Sequence, residues 1–150
     1  MQVTRQLHGN LLIRLYYDEN GNLNSYTEYV YDNDGNRTEQ NVYRADGSLN
    51  NQTLYKDEQR VKYSYYDDSG HLNYYTEYTY DSQGNTTEEA NYYADGSIKS
   101  RTTYKDGDRN ETIDYRADGS VEHRSLYVND ELSKGIWYDE DGNITDETTY

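Results

Sequence analysis

The sequence repeats itself after about 49 residues, and this repeat restricts the fold more than any other feature. Residues 16–63 align with residues 65–112 without a gap, and about half of the aligned positions are identical. A shorter period of roughly 11 to 14 residues lies inside the long one, and it predicts a tandem array of small structural units. Tyrosines mark this short period: Tyr17, Tyr31, Tyr43, Tyr55, Tyr66, Tyr80, Tyr92, Tyr104, Tyr115, Tyr127 and Tyr138.

Each marker tyrosine is followed by residues that are typical of a tight turn. In the clearest copies, Asp18 precedes Gly21 and Asn22, and Asp139 precedes Gly142 in the same way. An aspartate accepts hydrogen bonds from the backbone of its own turn, and glycine adopts a positive φ at little cost. The pattern therefore predicts type I hairpin turns with one residue in the left-handed conformation.

An aliphatic residue follows most of these glycines at the second position, and it is expected to face a tyrosine across the hairpin. Such cross-strand pairs contribute about 0.2–1 kcal/mol each. No stretch has the helical period, and proline is absent. We therefore expect an all-β fold of tandem β-hairpin repeats in an elongated, twisted antiparallel sheet, with a β-solenoid as the alternative. The aliphatic positions are Leu23, Leu49, Leu72, Ile98, Val121 and Ile144, and the exceptions are Arg37 and Thr86.

The domain organisation follows from where the repeat is regular. Residues 1–15 are less regular and include the most apolar stretch, Leu11–Leu15, which predicts an N-terminal cap strand. Residues 16–150 form the tandem array of Tyr-Asp-x-x-Gly units. Because the array continues to Tyr150, its last strand is expected to leave an open sheet edge.

Composition argues against several classes of function. The net charge of −15 opposes binding to phosphate backbones and anionic lipids, so neither nucleic acid nor membrane insertion is expected. Cysteine is absent, which excludes disulfides and thiolate chemistry. No nucleophile, base and orienting group stand at a recognised spacing, so we expect no enzyme and no catalytic residue. Because large aliphatic residues are few, the 21 tyrosines are expected to supply the core.

The remaining candidate sites are the acidic turns, the histidines and the tyrosine rows. The turn around Asp32 and Asp34 partly resembles a calcium loop, but the chain turns back at once after Gly35, which favours a plain hairpin turn. We therefore expect neither a metal site nor a cofactor. His8, His71 and His123 are interpreted as surface residues. Rows of exposed aromatic rings stack on sugars or pack on proteins, although the same rings also stabilise a thin sheet. The candidate ligand-binding residues are Tyr29, Tyr31, Tyr74, Tyr75, Tyr78 and Tyr80.

The segment from Tyr31 and Asp32 to Gly35, Asn36 and Arg37, with its copies, resembles the YD repeats of bacterial Rhs and wall-associated proteins and of animal teneurins. In that family such units form β-hairpins that join into a long antiparallel sheet, often curled into a shell. This chain is far too short to close such a shell. The Ala-Asp-Gly-Ser variant at residues 45–48 is similar to the MORN-like repeats of some antitoxin or immunity proteins. The resemblance implies a secreted or cell-surface protein, although the first residues lack a secretory signal pattern.

These observations predict a non-enzymatic repeat scaffold or adhesion-type structural protein that self-assembles through its open C-terminal edge. One alternative is a carbohydrate- or protein-binding module, including the immunity type, that uses the tyrosine rows. Another is a designed or metagenomic repeat protein with no role of its own. The expected partners are the chain itself, edge to edge, or a surface protein or glycan.

Overall fold

The computed structural model describes the backbone of residues 2–7 and 10–150 and the side chains of residues 10–150. Every regular element in this part of the chain is a strand, and the strands follow one another in chain order in one 13-stranded sheet. The predicted all-β fold of repeated antiparallel hairpins is confirmed. The β-solenoid alternative is wrong, because each pair of neighbouring strands with a described register is antiparallel. No helix in these residues is long and apolar enough to span a membrane.

The strands are β1 (Gln2–Leu7), β2 (Leu11–Tyr17), β3 (Leu23–Tyr31), β4 (Arg37–Arg44), β5 (Leu49–Lys56), β6 (Gln59–Tyr66), β7 (Leu72–Tyr80), β8 (Thr86–Tyr93), β9 (Ile98–Lys105), β10 (Asp108–Tyr115), β11 (Val121–Val128), β12 (Glu131–Tyr138) and β13 (Ile144–Thr149).

The chain divides into two compact units, which we call unit 1 (Met1–Tyr75) and unit 2 (Thr76–Tyr150). Unit 1 contains β1 to β6 and the first part of β7, and unit 2 contains the rest of β7 and β8 to β13. The predicted cap segment, residues 1–15, holds β1 and the start of β2, and its capping role stays a prediction. His8 lies outside the described residues.

Each marker tyrosine lies at the last or second-last position of a strand, from Tyr17 in β2 to Tyr138 in β12. The repeating unit is therefore one strand with its turn, because neighbouring hairpins share a strand. The predicted pairing with the aliphatic column is confirmed wherever the register is described. The observed pairs are Tyr17 with Leu23, Tyr43 with Leu49, Tyr92 with Ile98, Tyr115 with Val121, and Tyr138 with Ile144.

The Asp-Gly turns have the predicted geometry. Gly35 has a φ of 86°, in the left-handed region that favours glycine. The Asp32 carboxylate accepts hydrogen bonds from the backbone N–H groups of Asp34 and Asn36 at 3.0 and 2.8 Å, and from Asn36 Nδ2 at 3.1 Å. The Asn36 side chain and these N–H groups lower the pKa of Asp32 below its ordinary value, because they stabilise the charged carboxylate. The carboxylate therefore closes its own turn.

Three further turns have only two residues, and the sequence analysis did not predict them. Asp57 and Glu58 have φ values of 51° and 63°, and Asn129 and Asp130 have values of 51° and 65°. Positive φ at both central positions is the geometry of a type I′ turn, whose twist matches the twist of paired strands. The third is Asp106-Gly107, a dipeptide that signals this turn in the sequence.

The most buried side chains are small, which corrects the expectation that tyrosine forms the core. Ala90 is 3% exposed and Thr27 is 4% exposed, and none of the large side chains in residues 10–150 is fully buried. In one layer of strands, long side chains extend over their short neighbours and keep their own outer surface in water. Most of the tyrosines are therefore half-buried, and they cover the small central residues.

Candidate binding sites

The six predicted tyrosines do not form one site. Tyr74 and Tyr75 are consecutive in β7, so their side chains point to opposite faces. Tyr74 is 39% exposed and stacks on Tyr65, with 5.3 Å between the ring centres. The Lys62 ammonium lies 3.8 Å from the ring centre of Tyr75.

The other four predicted tyrosines belong to different units. Tyr78 and Tyr80 lie in unit 2, where they share one face of β7. Tyr29 and Tyr31 share one face of β3 in unit 1, where they are half-buried. Two of the predicted pairs therefore share a face, and the ligand-binding role of the six tyrosines stays a prediction.

Tyr31 belongs to a row in which aromatic and cationic side chains alternate. Tyr31 lies opposite Arg37 in the register of β3 and β4, and Tyr55 lies opposite Arg60 in that of β5 and β6. The Arg37 guanidinium joins the two pairs, because its Cζ lies 3.9 Å from the ring centre of Tyr55. We call these four residues the aromatic-arginine row. A cation in this position contributes about 0.5–1 kcal/mol at an exposed site.

Arg14 and Tyr29 lie on the same face of unit 1. The Arg14 Cζ is 5.6 Å from the ring centre of Tyr29, and the Arg14 Nε is buried without a hydrogen-bond partner. Burial raises the pKa of Tyr29, and the neighbouring Tyr16 hydroxyl raises it further. The Tyr29 ring is therefore neutral at ordinary pH, and it borders a cation.

A cavity of about 320 Å³ lies beside the row. Its lining consists of Tyr31, Gly35, Arg37 and Glu58. The guanidinium donates hydrogen bonds, the carboxylate accepts them, and the phenol ring supplies an apolar wall.

An arginine closes the Ala-Asp-Gly-Ser turn of unit 1. The guanidinium of Arg44 donates to the carbonyl oxygens of Leu49 at 2.8 Å and of Tyr66 at 2.7 Å. It also donates to Asn50 Oδ1 at 3.2 Å and lies 3.3 Å from the Asp68 carboxylate. We call this arrangement the arginine clasp.

Unit 2 contains two turns of the same type, and only one of them has a clasp. Arg116 donates to the carbonyl oxygens of Val121, at 2.7 Å, and of Tyr138. In the other turn the arginine position is occupied by Tyr93, which is 41% exposed.

A second cavity, of about 310 Å³, lies where unit 2 has Tyr93 in place of a clasp. We call it the aromatic pocket. Its lining consists of two tyrosines, a tryptophan, a histidine, a lysine and two carboxylates. Its lining residues are Tyr93, Lys99, Asp114, Tyr115, Glu122, His123 and Trp137.

Trp137 is held in the wall of this pocket by its neighbours. Its ring lies 4.5 Å from the His123 ring, measured between centres. The Nδ1 atom of His123 is 3.4 Å from the Asp114 carboxylate, which orients the imidazole. Gly135 leaves the room for the indole, because a Cβ atom there would lie 2.7 Å from the Trp137 Cη2 atom.

The sequence analysis missed His123, Trp137 and both clasp arginines as site residues. A usable signal was the repeat itself, because the residue 49 positions before His123 is Tyr74. His71 is exposed, with its Nδ1 atom 3.9 Å from the Asp67 carboxylate. No group of three or more His, Cys, Asp or Glu residues in the described part of the chain is placed to hold a metal ion.

No family model matches this chain, and no curated protein matches it. Among solved structures, it is similar to the GtfA/B complex bound to UDP and GlcNAc, with 14% identity, a TM-score of 0.45 and coverage of 66% of this chain and 22% of the other. It is similar to an S. aureus TarM mutant in complex with fondaparinux, alpha-GlcNAc-glycerol and UDP, with 12% identity, a TM-score of 0.30 and coverages of 88% and 21%.

It is also similar to a porin-like protein from Bacteroides uniformis, with 11% identity, a TM-score of 0.38 and coverages of 92% and 58%. The chain spans less than two thirds of each of these three proteins. At these TM-scores the likeness supports no conclusion about fold or function.

Proposed function

We propose that this chain is a non-enzymatic repeat scaffold of the adhesion type, which presents tyrosines on a sheet face to a glycan or protein at a cell surface. The observation that carries the proposal is the aromatic-arginine row of unit 1, in which Tyr31, Arg37, Tyr55 and Arg60 alternate across four strands. Neighbouring strands lie about 4.8 Å apart, so the row offers similar chemistry at regular steps. Such a surface suits an extended ligand. Membership of the YD-repeat family and a secreted or cell-surface location belong to the same proposal.

The test separates binding from stability by removing one ring from each face of unit 1. Tyr31→Ala removes a ring of the row, and Tyr26→Ala is the matched control, because Tyr26 stacks on Tyr43 with 4.7 Å between ring centres. Tyr26 and Tyr31 lie on opposite faces of β3, given their spacing of five residues. Retention on an array of glycans and purified surface proteins is measured together with the melting temperature.

We expect Tyr31→Ala to weaken retention about tenfold, which corresponds to about 1.4 kcal/mol. Tyr26→Ala should lower the melting temperature and leave retention unchanged. If binding and stability fall together in both variants, the tyrosines are structural and the proposal fails.

The last strand supports a second proposal, which is self-association edge to edge. Among the described residues β13 pairs only with β12, and Ile144 at its start is 57% exposed. The Tyr150 N–H donates to the Ser133 carbonyl, so the N–H of Thr149 points away from β12. An outward row of N–H groups is a template for another strand.

Thr149→Pro removes one outward donor, and Thr149→Val keeps it, which makes the second variant a matched control. Light scattering over a range of concentrations should show association in the parent chain and in Thr149→Val, with a lower mass in Thr149→Pro. A parent chain that stays monomeric at every concentration contradicts self-association.

A further inference from the structure

We propose that the aromatic pocket of unit 2 binds one ring of a neutral glycan. This site is separate from the aromatic-arginine row, and the inference does not depend on that row binding a ligand.

Most residues that line the pocket differ in type from their counterparts 49 residues earlier in unit 1. Six of the lining residues have a counterpart 49 residues earlier in unit 1, and only Tyr115 keeps its residue type. The replacements are Arg44 by Tyr93, Asn50 by Lys99, Tyr65 by Asp114, Asn73 by Glu122, and Tyr74 by His123.

Three of these replacements, at Tyr93, Asp114 and His123, open space that their counterparts fill in unit 1. In unit 1 the Arg44 guanidinium reaches Asn50 and the Tyr66 carbonyl, while Tyr65 and Tyr74 stack on each other. At the Tyr93 turn of unit 2 the clasp is absent, and a carboxylate and an imidazole stand in place of the two phenol rings. Both replacements are smaller than tyrosine, so a cavity follows from the substitutions.

The lining matches the surface of a sugar ring. A pyranose has an apolar face of C–H groups and a rim of hydroxyls that both donate and accept hydrogen bonds. Trp137 and Tyr93 supply aromatic surface, the Lys99 ammonium donates, and the carboxylates of Asp114 and Glu122 accept.

The charges of the pocket disfavour ionic ligands. Two carboxylates and the net charge of −15 repel an anion. The Lys99 ammonium, 5.9 Å from the ring centre of Tyr93, stands where a ligand cation would bind. A volume of about 310 Å³ is at the lower end for ligand sites, which fits a single ring.

The wall is held in place before any ligand arrives. Asp114 orients His123, the imidazole packs on Trp137, and Gly135 leaves room for the indole. Because these side chains are already ordered, binding requires less loss of conformational entropy.

Titration with neutral disaccharides tests the proposal, with maltose, cellobiose, lactose and diacetylchitobiose as probes. Trp137 is the only tryptophan, so its fluorescence reports on the pocket. We expect a saturable change with at least one probe. Lys99→Asn, which restores the residue of the first copy, should weaken binding about tenfold. Tyr93→Arg, which restores the clasp residue, should abolish it.

Tyr31→Ala serves as the control, because it alters the row of unit 1 and should leave the titration unchanged. Loss of array retention in this variant with an intact titration separates the row from the pocket. A response only to hyaluronate or to an acidic peptide would overturn the assignment to a neutral glycan. Absence of any saturable change, or equal binding by Tyr93→Arg, would overturn the site itself.

Discussion

Unit 1 and unit 2 contain copies of the same repeat, and they differ at the Ala-Asp-Gly-Ser turn after β4 and after β8. In unit 1, Arg44 extends from this turn and bonds to the Tyr66 carbonyl. In unit 2, Tyr93 occupies the same position, and the aromatic pocket lies beside it. The strands and their tyrosine pairs are the same in both copies: Tyr43 faces Leu49, and Tyr92 faces Ile98. In a repeat protein, the residues that set the register can stay fixed while other positions build a site.

The largest loss of stability is expected when Arg44 of unit 1 is replaced by the tyrosine that unit 2 has at this position. Arg44→Tyr removes hydrogen bonds from a guanidinium to two backbone carbonyls, and each bond from a charged group contributes about 1.5–3 kcal/mol before solvent screening. Because the Arg44 side chain is 21% exposed, we expect a loss of about 1–2 kcal/mol in the free energy of unfolding. Urea denaturation measures it. A variant as stable as the parent would show that the clasp has no energetic role.

A smaller effect is expected from Gly135→Ala, which alters unit 2 alone. The added Cβ would stand 2.7 Å from the indole, so Trp137 has to move. Overpacking of this kind costs about 1–3 kcal/mol, and the exposed side of the indole favours the low end of that range. Tryptophan fluorescence during urea unfolding reports both the loss of stability and the displacement of Trp137. Ser125→Ala is the control, because Ser125 lies opposite Gly135 in the register. Equal effects of the two substitutions would contradict the role given to Gly135.

Arg37→Thr replaces the arginine of the aromatic-arginine row with the residue that unit 2 has at the equivalent position, Thr86. The cation over the Tyr55 ring is lost, and we expect a decrease of about 0.5–1 kcal/mol in stability. Arg109 provides a comparison in unit 2, because it lies over Tyr127 at 4.8 Å but also contacts the Asp130 carboxylate at 3.6 Å. Added salt should diminish the stability loss caused by replacing Arg109 more than the loss caused by replacing Arg37. The same salt dependence at both sites would argue against a stacking role for Arg37.

The smallest effect concerns a feature that both units share. The pKa values of Asp32 and Asp81 lie below the ordinary value of 3.8, because each accepts hydrogen bonds from an asparagine side chain and from its turn backbone. A carboxyl group with a lowered folded-state pKa contributes stability above its ordinary pKa, and this stability is lost as the pH falls below 3.8 through the lowered value.

Asp32→Asn and Asp81→Asn should therefore lower the melting temperature equally at neutral pH, and the difference from the parent chain should vanish in acid. Melting curves recorded from neutral pH down to below the ordinary aspartate pKa test this. A difference that persists unchanged in acid would show that the carboxylate charge is not involved.

The fold could be predicted from local patterns because its main determinants are local. The turn chemistry of Asp32 and Gly35 and the pairing of Tyr17 with Leu23 depend on residues a few positions apart. The two-residue turn at Asp57-Glu58 was missed because neither residue is a glycine, and both are held at positive φ by the flanking strands.

The sites could not be predicted in the same way. Arg44 and Tyr66 are 22 residues apart, and their contact depends on the register of three strands. A bulge shifts the register in every described strand pair except β1–β2; for example, Tyr16 pairs with Ser25, whereas Tyr17 pairs with Leu23. The spacing of residues in the sequence alone therefore does not predict a contact between distant strands. The pocket around Trp137 depends on several such contacts.

We attribute the aromatic pocket to the presence of Tyr93 in place of an arginine clasp. Acrylamide quenching of Trp137, the single tryptophan, tests this claim directly in the parent chain and in Tyr93→Arg. We expect clear quenching in the parent chain and protection in the variant, because a guanidinium placed like that of Arg44 would lie at the Tyr115 carbonyl and occupy the pocket that the indole lines. Equal quenching in both chains would contradict the claim that the pocket arises from Tyr93 in place of the clasp.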